Sequence, residues 1–175
     1  MSLERRISNL ERNGNYMTVG DALKYYVNNR TGSTIAKGSA VYINGAQGNR
    51  ITVALAKANA ESTSSKTFGI TDEAIANNQS GWVTVAGSIV RLDTSAFAEG
   101  ATLYLSPTTA GAFTSTKPAA PNHLVYVGFV ERSHATVGSI YVKVQNGYEL
   151  DEIHDVSITS VANGDRLAYE SSTGL

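Results

Sequence analysis

Residues 37–54 read KGSAVYINGAQGNRITVA, and residues 99–116 read EGATLYLSPTTAGAFTST. Each has a Gly, two small residues, an apolar–Tyr–apolar core, a turn containing Gly and a second apolar run. In the first stretch, residues 40–44 and 51–56 alternate with the period of a strand, and GAQGNR between them has hairpin chemistry. The next stretches echo each other as well. TFGITDEAIANNQSGWVTVAGSIVRL (67–92) and VYVGFVERSHATVGSIYVKV (125–144) each run apolar-Gly-apolar, loop, then strands around Gly-Ser-Ile. Gly38 and Gly69 are 31 positions apart, and Gly100 and Gly128 are 28 apart. Two readings fit: an internal duplication, or the grammar common to β-hairpins. Either way the expectation is an all-β sandwich or barrel-like domain.

Outside these units, residues 23–27 (LKYYV) predict a further strand, and NNRTGS after them a turn. KANAESTSSK (57–66) is polar and small, which predicts a surface loop. Thr71 is placed to cap a short turn through Asp72 and Glu73, and Gly87 to divide residues 81–92 into two strands. Trp82, Phe68, Phe113 and Phe129 lie in strand-like runs, where core packing is the default. Tyr25 and Tyr26 are adjacent, so at most one of them should face outward.

The first 21 residues have a different texture. Leu3, Ile7 and Leu10 recur at i, i+4, i+7, one apolar seam of a short helix that Ser2 can cap and Asn13-Gly14-Asn15 can end. Arg5, Arg6, Glu11 and Arg12 flank the seam. Such a narrow stripe suits a short parallel coiled coil between identical chains, with Leu3, Ile7 and Leu10 as oligomerisation residues. The other reading is a helix lying on its own domain. The expected organisation is therefore a helix and anchor at 1–21, a β domain at 22–148, and a linker opening a second β module at 149–175.

Composition narrows the function classes. The chain has 175 residues and a formal net charge of −1, without the basic stripe of a nucleic-acid binder. No apolar run approaches a membrane span, and the N-terminus has no signal-like apolar stretch. Cys is absent, which excludes disulfides and thiolate metal sites. Charged residues make up 17%, below the roughly 25% typical of soluble domains. A surface of hydroxyls and amides suits a protein that packs against copies of itself. Catalytic constellations are not apparent. His123, His134 and His154 lie in unrelated segments, and Ser133-His134 are strand neighbours that would point to opposite faces. His154 beside Asp151 and Asp155 could hold a divalent cation, but ELDEIHD reads better as a solvated acidic linker, bendable between domain and shaft over residues 145–155. The expectation is no enzyme, no cofactor and no metal.

Four stretches carry a family resemblance: GSTIAKGSAVYI (32–43), LYLSPTTAG (103–111), PNHLVYVGFV (121–130) and GSIYVKVQNGYELDEIHDV (138–156). Over roughly residues 27–175 the chain resembles the N-terminal parts of tail-fibre-like virion proteins of tailed bacteriophages. That resemblance implies a structural protein of the virion, made in the host bacterial cytoplasm and assembled as a homotrimer against other virion proteins of tail, neck or capsid. HDVSITSVANGDRLAYESSTGL (154–175) resembles a unit that recurs along fibre shafts, implying a longer fibre whose distal part meets the host-surface receptor. Two alternatives stand beside it: a head-decorating or neck protein bound to the capsid, and a carbohydrate-binding module with outward Tyr or Trp side chains.

Overall fold

The structure is a computed structural model, and it describes residues 22–148 together with Ala162 and Gly164. The expected helix with Leu3, Ile7 and Leu10 lies outside these residues, as does the linker from Glu149 onward. Nine strands follow in order: β1 (Ala22–Asn29), β2 (Ala40–Gln47), β3 (Arg50–Leu55), β4 (Thr67–Thr71), β5 (Ser80–Leu92), β6 (Thr102–Leu105), β7 (Phe113–Thr114), β8 (Val125–Arg132) and β9 (Gly138–Asn146). A one-turn helix, α1 (Glu61–Ser64), joins β3 to β4. The fold is all-β, as expected.

The strands form one sheet in the order β1-β3-β2-β4-β5-β9-β8-β6-β7. β1 also pairs with β5, from Ala22 opposite Gly87 to Asn28 opposite Ser80. That second pairing closes β1, β3, β2, β4 and β5 into a barrel, whose seam between β1 and β3 is short, Asn28 opposite Thr52 and Asn29 opposite Val53. Only the β1–β3 pairing is parallel in this ring.

The two sequence units fold alike. Omitting β1, the strand order is β3-β2-β4-β5 in the first and β7-β6-β8-β9 in the second, placed end to end. The same backbone bonds anchor both. Gly38 N–H donates to Thr71 O (2.8 Å) and Thr71 N–H to Ser39 O (3.0 Å); Gly100 N–H donates to Val130 O (2.7 Å) and Val130 N–H to Ala101 O (3.0 Å). The turns after the incoming strands match too. Asn29 Oδ1 accepts from Thr31 N–H and Oγ–H, and Asp93 Oδ1 accepts from Ser95 N–H and Oγ–H. The Ser95 hydroxyl, and then its N–H, hold the Asp93 carboxyl below the ordinary carboxylate range. These shared details support duplication over coincidence of hairpin grammar.

β5 is shared by both units. The sequence reading divided residues 81–92 into two strands at Gly87, but one 13-residue strand spans them. Opposite it, β1 steps from Ala86 to Thr84, leaving Val85 as a bulge. The extra residue reverses the facing, so Val83 and Ile89 lie on opposite sides of the sheet. Val83 joins the first core with Val27, Ile35, Val41, Val53 and Ile75. Ile89 joins the second with Leu103, Leu105, Val125, Val130, Ile140 and Val142, which Ala40, Ala56 and Ile70 of the first unit complete. Each fully buried aliphatic side chain contributes about 1.5–3 kcal/mol. Neighbouring residues of β2, Ala40 and Val41, serve different cores because strand side chains alternate.

Three local expectations are corrected. Thr71 does not cap a turn: it ends β4, its Oγ accepts from Ser39 N–H (2.9 Å) and donates to Ala36 O (2.7 Å), and it is fully buried. Residues 57–66 are not a simple surface loop, since Ala58 and Ser64 are buried and α1 forms within them. Bending does not begin at residue 145, because Gln145 and Asn146 pair with β8 and Gly147 N–H donates to Leu124 O at 2.7 Å.

Two glycines hold the strands in close register. A Cβ on Gly69 would sit 2.3 Å from Thr84 O, and one on Gly128 would sit 2.0 Å from Tyr141 O. Backbone oxygens cannot withdraw without breaking the ladder. Gly69→Ala and Gly128→Ala are therefore each expected to cost about 3 kcal/mol or more in urea unfolding. Gly32→Ala, with open space around it and only left-handed strain at φ +88°, should cost about 1 kcal/mol.

Candidate interaction surface

The described residues hold no group of three or more His, Asp or Glu side chains placed for a metal ion. His123 Nδ1 lies 3.2 Å from Glu61 Oε2, tying the loop before β8 to α1. His134 Nδ1 accepts from Thr136 N–H (3.0 Å) and Val137 N–H (3.3 Å), so the ring is spent on the β8–β9 turn. Ser133 Oγ donates to Thr94 O (3.4 Å). The structure thus puts Ser133 and His134 to work on separate backbone contacts. His154, Asp151 and Asp155 lie outside the described residues. Asp72 pairs with Lys24, and Glu73 Oε1 accepts from Trp82 N–H (3.0 Å). Among the described residues no helix is long and apolar enough to cross a membrane.

What the described surface does carry is exposed apolar area, in two patches on opposite faces of the sheet. The first belongs to β1 and β5. Tyr26 stands directly opposite Trp82, with ring centroids 4.8 Å apart. The Arg50 guanidinium lies 4.7 Å from the Tyr26 ring centre, within cation–π range, and donates to Ser80 Oγ at 3.1 Å. Ser80 Oγ in turn donates to Asn28 Oδ1 (2.6 Å). The result is an aromatic pair set between hydroxyl, amide and guanidinium groups.

The second patch is the outer face of β5, β9 and β8. Cross-strand pairing places Ala86 between Leu23 and Lys143, Ser88 beside Tyr141, Tyr141 beside Phe129, and Val90 beside Ser139. Leu23 is 66% exposed, Val90 54%, Tyr141 45% and Phe129 44%. An antiparallel sheet with one face on a core ordinarily turns polar residues to water on the other. Here large apolar side chains stand there, separated by Ala and Ser. Glu131 sits beyond Phe129 and accepts from Ser88 Oγ (2.7 Å).

Several expectations change at this point. Trp82 and Phe129 are not core residues, being about half exposed, whereas Phe68 and Phe113 do pack against the two cores. Tyr25 and Tyr26 do point to opposite faces, yet both are exposed. Tyr25 lies past the barrel's buried Val27 and meets Phe68 edge to face, with centroids 5.8 Å apart. Leu23, Val90 and Arg50 were missed as surface residues. The signal for Val90 was the adjacent pair Ile89-Val90, of which only one can face a core.

No family model matches the chain, and no curated protein matches it.

Tyr26→Ala removes both the Trp82 contact and the seat of Arg50. It is expected to lower stability by about 1–2 kcal/mol in denaturant unfolding. Acrylamide quenching of Trp82, the sole tryptophan, should rise in the same variant.

Proposed function

We propose that this chain is a structural protein of a bacteriophage virion, the anchoring part of a trimeric tail fibre, and that it performs no catalysis and holds no cofactor. In this reading the N-terminal seam of Leu3, Ile7 and Leu10 gathers three chains, and the segment from Glu149 leads toward a distal shaft. The paired β units space and stiffen the fibre between them. The observation that carries the reading is the open face of β5, β9 and β8: a chain acting alone has no use for four large apolar side chains on one sheet face. The four stretches that resemble tail-fibre-like proteins, and the low share of charged residues, support it. Attachment to neck or capsid in place of the tail would use the same module, and labelled virions viewed by electron microscopy distinguish the sites.

A second reading, a carbohydrate-binding module, is favoured by the Tyr26–Trp82 pair with Arg50, Asn28 and Ser80 around it. Stacking of a sugar ring on Trp82 would change its fluorescence. Titration with a panel of neutral and acidic saccharides that leaves the emission unchanged to millimolar concentration removes this reading.

The trimer is tested on the full chain. Light scattering at micromolar concentration should give three times 18.5 kDa, about 55 kDa, if the contacts are of the obligate kind. A monomer with an intact β domain overturns independent trimerisation. Ile7→Asp places a charge in the seam, at a cost of several kcal/mol if the seam is packed. It should abolish incorporation into particles while the β domain melts as in the parent. Normal incorporation would make the N-terminal segment a passenger.

A further inference from the structure

We infer that the outer face of β5, β9 and β8 is the surface on which the β domains of neighbouring copies of this chain pack; the inference rests on the trimer reading and locates its interface. Three features select a second copy as the occupant. First, the face is mixed in charge. Lys143 flanks the Tyr141–Phe129 pair on one side, and Glu131 and Arg132 flank it on the other; all three are exposed. A nucleic acid would need a basic face and a basic partner an acidic one, whereas a copy of this face offers an acid for its base and a base for its acid.

Second, the face has two unlike halves. Phe129 and Glu131 lie on β8; Leu23 and Val90 lie on β1 and β5, with Lys143 on β9 between. A closed threefold ring requires such a heterologous contact, one half of each copy against the other half of the next. Each copy can set Phe129 between Leu23 and Val90 of its neighbour, over the small Ala86, while Glu131, released from Ser88, approaches Lys143.

Third, the face is continuous with the segment expected to gather the chains. β1 begins at Ala22, and Leu23 is the first side chain on the open face. A chain entering the β domain at Ala22 therefore does so at the edge of this face. The Tyr26–Trp82 patch, on the opposite side of the sheet, stays outside.

The test uses the full chain and the double variant Phe129→Glu, Tyr141→Glu, with circular dichroism to confirm folding. If the parent is a trimer and the folded variant dissociates with a rise in dissociation constant of about tenfold or more, the interface is confirmed. If the parent is a trimer and the folded variant remains equally trimeric, the seam suffices, the trimer reading stands and this inference is overturned. If the parent is a monomer, independent trimerisation and this inference both fall. A variant that does not fold is replaced by hydroxyl-radical labelling of the parent. Tyr141 and Phe129 should then be labelled several-fold less than expected from their exposure, relative to Tyr148, which is 83% exposed. Labelling of Tyr141 in proportion to its exposure overturns the inference.

Discussion

The bulge at Val85 is the constraint on which the rest of the architecture depends. β5 supplies backbone partners on both edges to different strands: β1 and β4 along its first part, β9 along its second. A regular strand would keep one set of side chains on one face throughout. The single extra residue turns Val83 toward one core and Ile89 toward the other, so one continuous strand serves two units. Its ladder bonds leave the two units no freedom to swivel, because any relative rotation would break them. Stiffness here comes from a shared strand and not from a large interface.

The same sharing explains why the two units are not equally closed. In the first, β1 fills the place between β3 and β5. In the second, the far part of β5 takes the equivalent place beside β9, and β7 is only two residues long. Ala40, Ile70, Ala56 and Ala58 of the first unit supply what the short hairpin lacks. A domain this small buries a modest fraction of its surface, so a core completed by a neighbour gains more than one left open. The cost is a sheet with two differently treated faces, one packed on that core and one bare.

Electrostatics contributes little to holding this fold. Lys24–Asp72 is part-exposed, and such pairs are worth about 0–1 kcal/mol. Hydroxyl and amide side chains take the polar work inside. Asn29, fully buried, donates to Ser33 O and Ile75 O while accepting from Thr31, so its burial leaves no amide group unpaired. Thr94 plays a similar part in the second unit, its hydroxyl donating to Arg132 O at 2.7 Å. A chain poor in charge can therefore still be locally well specified.

The sequence by itself determined the all-β class, the hairpin at β2–β3 and the strand at β1, and it left the likeness of the two units open between duplication and common hairpin grammar. Each of these depends on local chemistry: alternation with period two and Gly-bearing turns. It could not determine which strand lies beside which. The closure of β1 onto β5, the end-to-end order of the units and the bulge that turns β5 over depend on partners far apart in the chain. For the same reason most of the exposed face was hidden, the adjacent Ile89-Val90 pair being its one local signal. Whether Trp82, Phe129 or Tyr141 meets a core or water depends on the parity of its strand relative to a neighbour, and one bulged residue inverts that parity. Only the tertiary structure decided it, because a side chain's burial is a property of the register and not of the residue.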